Sequence, residues 1–391
     1  RNGRHGHLFT WSGIINIKLK EKGNMGLNGM VNISAGSALD KFLPKANGSA
    51  SVSYSTKKFG FSASIDGRYD QRGRRSDNMK LLFGSEPNSL DAWMRSRRDG
   101  IEEGYSEGMK LGFDWYINQK NTLTLSYTGR GQNTISDHTV INNINLIDSM
   151  SYRSLDQITD GDRSGQFHTF SLNYQKKFNK PDQELMVDAN WNIGRFNRES
   201  TQKIDYLNDM FDTDYAFDKK DVTKANDDRA VVKINYTHPF SKELRLETGY
   251  NLNYSNRHSD YDYYFNGLSE KDTATSYVFH STEYIHALYA TVGYTHGNWS
   301  GQLGLRGEIV RSTATKTMEN KANTSFDKNY NPLFPTLHLS YQITPMQSAQ
   351  FSYSRRINRP DMFSMMPNVD LSNPEHIRFG NPDIDPEYTN S

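Results

Sequence analysis

Asp160-Gly161-Asp162-Arg163-Ser164-Gly165 sets oxygen-bearing side chains at alternate positions with glycine sixth, the way a calcium loop begins. The twelfth position is Ser171, where a bidentate carboxylate would have to close the site, so an exposed polar turn is the better reading. Asp205, Asp209, Asp212, Asp214 and Asp218 also gather negative charge, but Lys203, Lys219 and Lys220 lie among them, which suits a solvated acidic loop. The histidines are scattered without the i, i+4 pairing of a helical zinc site, and no cysteine is present to ligate metal or act as a nucleophile. No metal and no cofactor are expected. A G-x-S-x-G elbow and a P-loop are both missing, and adjacent Glu102 and Glu103 read as a loop charge pair, so enzyme activity is not expected. Aromatic loop residues are the remaining groups able to hold a ligand. Trp93 falls in a short capped helix over residues 89–98, and Tyr261, Tyr263 and Tyr264 cluster in another loop. Such rings suit sugar, peptide or haem surfaces, and loop-on-loop packing explains them about as well.

The elements that would carry these loops show a period of two. Leu244, Leu246, Thr248, Tyr250, Leu252 and Tyr254 alternate with Arg245, Glu247, Gly249, Asn251 and Asn253, which is a strand with one apolar face. The pattern returns over 109–117 and 185–193, and again over 27–36, 48–55, 60–69, 122–130, 166–176, 229–238, 283–295, 298–310, 335–343 and 347–356. That makes about thirteen strands, many of the roughly 9 to 11 residues that cross a bilayer. No run approaches the ~18 apolar residues of a spanning helix. The chain is only 35% hydrophobic but 12% aromatic, and 46 basic residues balance 45 acidic ones. That balance gives no electrostatic reason to expect nucleic acid as a partner. A membrane barrel accommodates this composition, because only alternate residues meet lipid.

Connections alternate between tight, at 57–58, 118–121, 179–182, 239–242, 296–297 and 344–346, and long, at 70–105, 131–165, 195–228, 256–282 and 311–334. Short turns on one rim and long loops on the other are the asymmetry of outer-membrane barrels, with the long loops outside the cell. Tyr54, Phe59, Tyr174, Phe178, Tyr236, Phe240, Tyr294, Trp299 and Tyr341 lie near the tight turns, where a girdle of rings would mark the periplasmic interface.

Two stretches resemble a known family. Gly13-Ile14-Ile15-Asn16-Ile17-Lys18-Leu19-Lys20 with Gly26-Leu27-Asn28-Gly29 looks like the plug-to-barrel junction of TonB-dependent outer-membrane receptors. Tyr353-Ser354-Arg355-Arg356-Ile357-Asn358-Arg359-Pro360, followed by Gly380-Asn381-Pro382-Asp383-Ile384-Asp385-Pro386-Glu387, resembles the arginine-proline strand end and Asn-Pro…Pro-Glu motif of the same barrels. Arg356, Pro360, Gly380, Asn381, Pro382 and Glu387 are the positions that carry this second match. The resemblance implies an all-β, antiparallel transmembrane barrel of about 22 strands. On that reading residues 1–24 end the plug or form its junction, and 25–391 are a partial barrel within a longer protein. The implied function is uptake of a siderophore, haem, glycan or peptide at the cell outer membrane. Its implied partners are membrane lipid, the inner-membrane TonB complex acting through a more N-terminal region, and a surface lipoprotein. A structural or assembly barrel that anchors partner proteins is the alternative, and a secreted adhesin is the soluble one.

The loop asymmetry sets a test of orientation. A protease added to intact cells should cut within 70–105 or 195–228 and spare 179–182, as mapped by mass spectrometry of the released peptides. Cleavage confined to the tight turns would invert the topology.

Overall fold

The computed structural model describes residues 25–38, 42–83, 90–146, 152–208, 215–265, 270–365, 369–370 and 378–391. The thirteen expected strands are all present as β1 (Gly26–Ala38), β2 (Leu43–Ser55), β3 (Phe59–Phe83), β4 (Leu90–Asn118), β5 (Asn121–Leu146), β6 (Tyr152–Lys177), β7 (Glu184–Asn208), β8 (Tyr215–Pro239), β9 (Leu244–Phe265), β10 (Tyr277–His296) and β11 (Trp299–Thr317), then, after β12 (Thr324–Tyr330), as β13 (Leu333–Thr344) and β14 (Gln347–Asn358). A single helical turn, α1 (Met362–Met365), a two-residue pair β15 (Val369–Asp370) and β16 (Arg378–Phe379), and a short β17 (Glu387–Asn390) complete the described chain. Sequence reading missed β12, which lies in a stretch read as a long loop, and the two- to four-residue β15, β16 and β17. Each strand from β1 to β11 pairs antiparallel with its sequence neighbours, β13 pairs β11, and β17 continues the sheet beyond β14. Among the described residues β1 and β17 are the sheet's two edges.

The register sorts side chains into two faces. One row runs Leu27, Tyr54, Phe61, Phe113, Leu125, Leu172, Ala189, Val232 and Leu252 across β1 to β9. Another runs Leu246, Val292, Leu303, Leu337 and Tyr353 across β9 to β14. Most of these large apolar side chains are left exposed by the protein itself, which in water would be costly but in hydrocarbon is the favoured state. The opposite face carries Asp114, Thr124, Asn173, Asp188, Lys233 and Asn251 in one row. Those side chains bond to one another across strands. Thr124 donates to Asp114 at 2.6 Å, Ser171 to Asn190 at 2.6 Å, Thr169 to Asn192 at 2.8 Å, and Asn173 to Asp188. The belt faces lipid and the polar face lines the lumen.

Tight turns close one rim through local side-chain caps. Thr56 Oγ1 accepts from the Lys58 and Phe59 amides, Asn118 Oδ1 from Lys120, and Ser241 Oγ from Glu243 and Leu244. Gly297, at φ +57°, supplies the left-handed residue that joins β10 to β11. The girdle aromatics that lie on strands point outward by the same register, with the Trp299 and Tyr341 rings 4.6 Å apart.

The other rim differs from the expected long loops. The segments read as loops are continuations of the strands themselves: β3 to β8 run 25 to 29 residues each and pair in register past the apolar belt. From Tyr127 at the top of the belt to Leu146, a rise of ~3.4 Å per residue at about 45° tilt lifts the rim by roughly 45 Å. The expected capped helix around Trp93 is therefore strand, because β4 already pairs from Leu90. The residues around Tyr261, Tyr263 and Tyr264 are likewise strand, within β9. Asp160 to Gly165 sits inside β6, laddered to β5 and β7, so Asp160, Asp162 and Ser164 are strung along one face of an extended strand and do not curl into a calcium loop. Asp205 and Asp218 lie on β7 and β8, and Asp209, Asp212 and Asp214 fall outside the described residues.

This facing predicts an asymmetric response to charge. Leu111→Arg or Leu246→Arg should destabilise the membrane-inserted barrel by about 2 to 4 kcal/mol, and Asn251→Arg, in the lumen, by much less. Urea unfolding in lipid vesicles checks it, and equal tolerance at the three positions would show the facing to be wrong.

Candidate functional site

Two concavities compete for attention, one on each face. On the outward face a groove of about 600 Å³ is lined by Phe61, Leu111, Phe113, Leu125, Phe170 and Trp191. It lies in the apolar belt, where acyl chains cover it, and its lining offers almost no side-chain donor or acceptor to orient a solute. Lipid is its natural occupant.

The inward concavity, about 400 Å³, lies above the belt on the extended parts of β4 to β7. Its side chains follow from pairing without a bulge. Ser136, Gly161 and Ser200 stand in one row, His138, Thr159 and Gln202 in the next, and Thr134, Arg163 and Arg198 in the row nearer the membrane. Gly161 forms the floor, since a Cβ there would stand 2.7 Å from Ser136 Oγ. Gly100 makes room for the His138 ring that crosses it, because a Cβ at Gly100 would meet Nδ1 at 2.0 Å. Glu102 sits beside the cavity, held by Arg74 at 2.7 Å with His138 Nε2 3.6 Å away.

Three atoms in this wall lack partners. Ser200 and Gln202 are only 2% and 6% exposed, yet Ser200 Oγ, Gln202 Oε1 and His138 Nδ1 make no hydrogen bond. Each buried polar atom left so costs about 1 to 3 kcal/mol. Arg98, Arg163 and Arg198 line the same cavity, and none forms an ion pair with a described residue; Arg163 lies only over the Phe196 ring, 6.0 Å from its centroid. On the outward face of the same hairpins several charges are matched: Arg195 with Asp228 at 3.0 Å, Lys220 with Glu199, and Arg95 with Asp77 at 2.6 Å. The hydrogen bond from Arg95 holds the Asp77 carboxyl below the ordinary range.

The four expected ligand-contact aromatics do not form one surface. Trp93, on β4, and Tyr264, on β9, point outward, whereas Tyr261 and Tyr263 point inward. The inward pair packs on a buried cluster of Tyr277, Phe279 and Ala314, with Tyr261 stacked on Tyr277 at 4.5 Å. Lys316 lies 4.6 Å from the Tyr277 centroid, and burial, reinforced by Lys321, pushes its amine down.

The two halves of the C-terminal motif do meet. Arg356 stands opposite Thr389 and Asn358 opposite Glu387, and the Arg355 guanidinium covers the Tyr388 ring at 4.6 Å. Asn381 closes an Asx turn by accepting from the Asp383 amide at 2.9 Å, and its own amide donates to the Ser364 carbonyl at 2.9 Å, which places Gly380 and Pro382 in one tight bend. Next to Pro360, Arg359 reaches Glu308, which is buried and also bound by Arg306 at 2.8 Å, and Arg359 Nε donates to Tyr330 at 3.2 Å. The motif thus locks the end of β14 to the inward side of β11 and β12.

A lipid-facing apolar belt, a hydrogen-bonded polar lumen wall and short turns opposite tall hairpins define an outer-membrane β-barrel. Residues 176–391 match the model of the outer membrane protein beta-barrel family, and the chain belongs to that family. No curated protein matches the sequence. Similar solved structures include the outer membrane protease OmpT of Escherichia coli, at 10% identity over 73% of this chain and 96% of that one with a TM-score of 0.25. The toluene transporter TbuX of Ralstonia pickettii is 10% identical over 84% and 81% with a TM-score of 0.27. A ferric enterobactin receptor of Pseudomonas aeruginosa is 7% identical over 86% and 76% with a TM-score of 0.24. These likenesses are too distant to carry an activity or a ligand across.

The Glu308 triad yields a prediction. Arg359→Met should lower stability by about 1 to 3 kcal/mol by stripping a buried carboxylate of one of two cations, and adding Glu308→Gln should restore part of the loss. Thermal unfolding of the detergent-solubilised barrel measures both, and an unchanged single variant would remove the triad from the account.

Proposed function

We propose that this outer-membrane barrel is the wall of an energised importer of the TonB-dependent type, which takes up a scarce nutrient. The observation that carries the reading is the inward cavity beyond the membrane, where Ser200 Oγ, Gln202 Oε1 and His138 Nδ1 make no hydrogen bond and the guanidiniums of Arg98, Arg163 and Arg198 form no ion pair among the described residues, while Arg195 and Lys220 on the outward face are paired. A barrel that only anchors other proteins gains nothing from unmatched polar groups inside its own mouth, and evolution toward stability would pair or remove them. The resemblance of the 353–360 and 380–387 segments to the TonB-dependent barrels supports the same reading. On it the barrel captures solute without transforming it. A surface lipoprotein and the inner-membrane energy-coupling complex are its partners.

The test is growth and uptake. A strain lacking the protein should fail on at least one of a panel of single iron, glycan and peptide sources, and uptake of that source should vanish when inner-membrane energy coupling is removed. Normal growth on every source, together with loss of a partner protein from the outer membrane, would favour the anchoring barrel instead.

A further inference from the structure

The chemistry of the inward cavity specifies its ligand more narrowly than import does. Arg163 and Arg198 stand directly opposite each other on β6 and β7, on the same face, with no carboxylate among the described residues paired to either. Like charges at directly opposed positions repel at a Cβ separation of about 5 Å, so the protein holds this pair at a cost that an anion between them would reverse. One row farther from the membrane the wall changes character, from guanidinium to hydroxyl and amide: Ser136 and Ser200 flank Gly161, and Thr159 and Gln202 follow beside His138. Four acidic residues stand nearby: Glu102 is held by Arg74 at 2.7 Å, Asp221, opposite Ser200, has a partner of its own, and Asp162 and Glu199, at the cavity edge, turn their side chains to the outward face, where Glu199 pairs with Lys220. Lys219, opposite Gln202 and two residues from Asp221, lies over the Tyr263 ring at 5.5 Å and is itself engaged.

We infer that this cavity binds a small polyhydroxylated carboxylate, an acidic monosaccharide in size and chemistry, with its carboxylate bridging Arg163 and Arg198 and its hydroxyls satisfying Ser200 Oγ and Gln202 Oε1. The anion relieves the arginine repulsion, and the hydroxyls both donate and accept, as a row of mixed orphan groups requires. A cavity of about 400 Å³ admits one sugar ring with its exocyclic groups. Gly161 is the permissive element, because any side chain there occupies the floor between the two serines. This inference deepens the importer reading, but binding is independent of energy coupling and is measured apart from uptake.

The experiment is isothermal titration of the full-length barrel, purified in detergent, with D-glucuronate as probe and D-glucose and inorganic phosphate as comparators. Wild type should bind glucuronate saturably and at least about tenfold more tightly than either comparator, since glucose lacks the charge and phosphate lacks the hydroxyls. Arg163→Gln and Arg198→Gln should each weaken glucuronate at least about tenfold without lowering the melting temperature of the unliganded barrel, because each removes a repulsion. Gly161→Val should abolish binding. Arg195→Gln, on the outward face of β7, should leave it unchanged and shows that loss of a charge alone is not the cause. Absence of saturable glucuronate binding, equal binding of glucose or phosphate, or unaltered binding by the two inward arginine variants would overturn the assignment. If glucuronate binds as expected but no strain phenotype or uptake is found, the site stands and the importer reading falls.

Discussion

In hydrocarbon there is no water to accept a backbone hydrogen bond, and each unmatched amide or carbonyl costs several kcal/mol. The rest of this structure follows from that constraint. It explains why strands β1 to β11 pair with their neighbours over nearly their whole length and why the periplasmic-side turns are as short as a side-chain cap allows. The same ladder then dictates chemistry, because pairing without slippage assigns every residue to lipid or to lumen. Leu125 and Thr124 differ in environment because they are adjacent, not because they are far apart.

The ladder does not stop where the membrane does. β3 to β8 continue past the apolar belt as paired hairpins, and the two-face assignment continues with them into the exterior. Outward positions there carry matched ions such as Arg195 with Asp228, while the inward positions of β4 to β7 collect Arg163, Arg198, Ser200 and Gln202 around one cavity. What in a soluble protein would be a loop-borne binding surface is here built on a rigid sheet. Its groups keep their spacing without ligand, so less ordering entropy is lost on binding.

The membrane-crossing part of the fold was legible in the sequence because lipid enforces alternation on one face: Leu244 to Tyr254 could be read as a strand, and its lipid side named, before any coordinates. The hairpin extensions were not legible. Segments such as Gln71 to Asp77 meet neither lipid nor a dry core, so both faces tolerate charge and the period of two disappears from their hydropathy while the backbone ladder persists. That is why the sequence reads as a helix around Trp93 and as an exposed polar turn at Asp160. The inward cavity was hidden for the same reason. Arg163 and Arg198 lie in stretches read as separate loops, and only the register that sets them opposite each other brings them onto one wall. The C-terminal motif was legible as a motif, but the pairing of Asn358 with Glu387 and the contact of Arg359 with buried Glu308 required the fold.

Tall hairpins in strict register also constrain how this outer surface can diversify over generations. Inserting one residue into β6 would turn every position beyond it from inside to outside, moving Arg163 toward solvent and Asp162 into the mouth, unless a bulge absorbs the extra residue. Length changes in the exterior should therefore survive mainly in pairs of residues, matched on both arms of a hairpin, or else at its tip. Substitution, by contrast, is free to act on one face without disturbing the other. A lineage under pressure from phage or antibody can rewrite the outward charges of β6 and β7 while the inner wall keeps its chemistry.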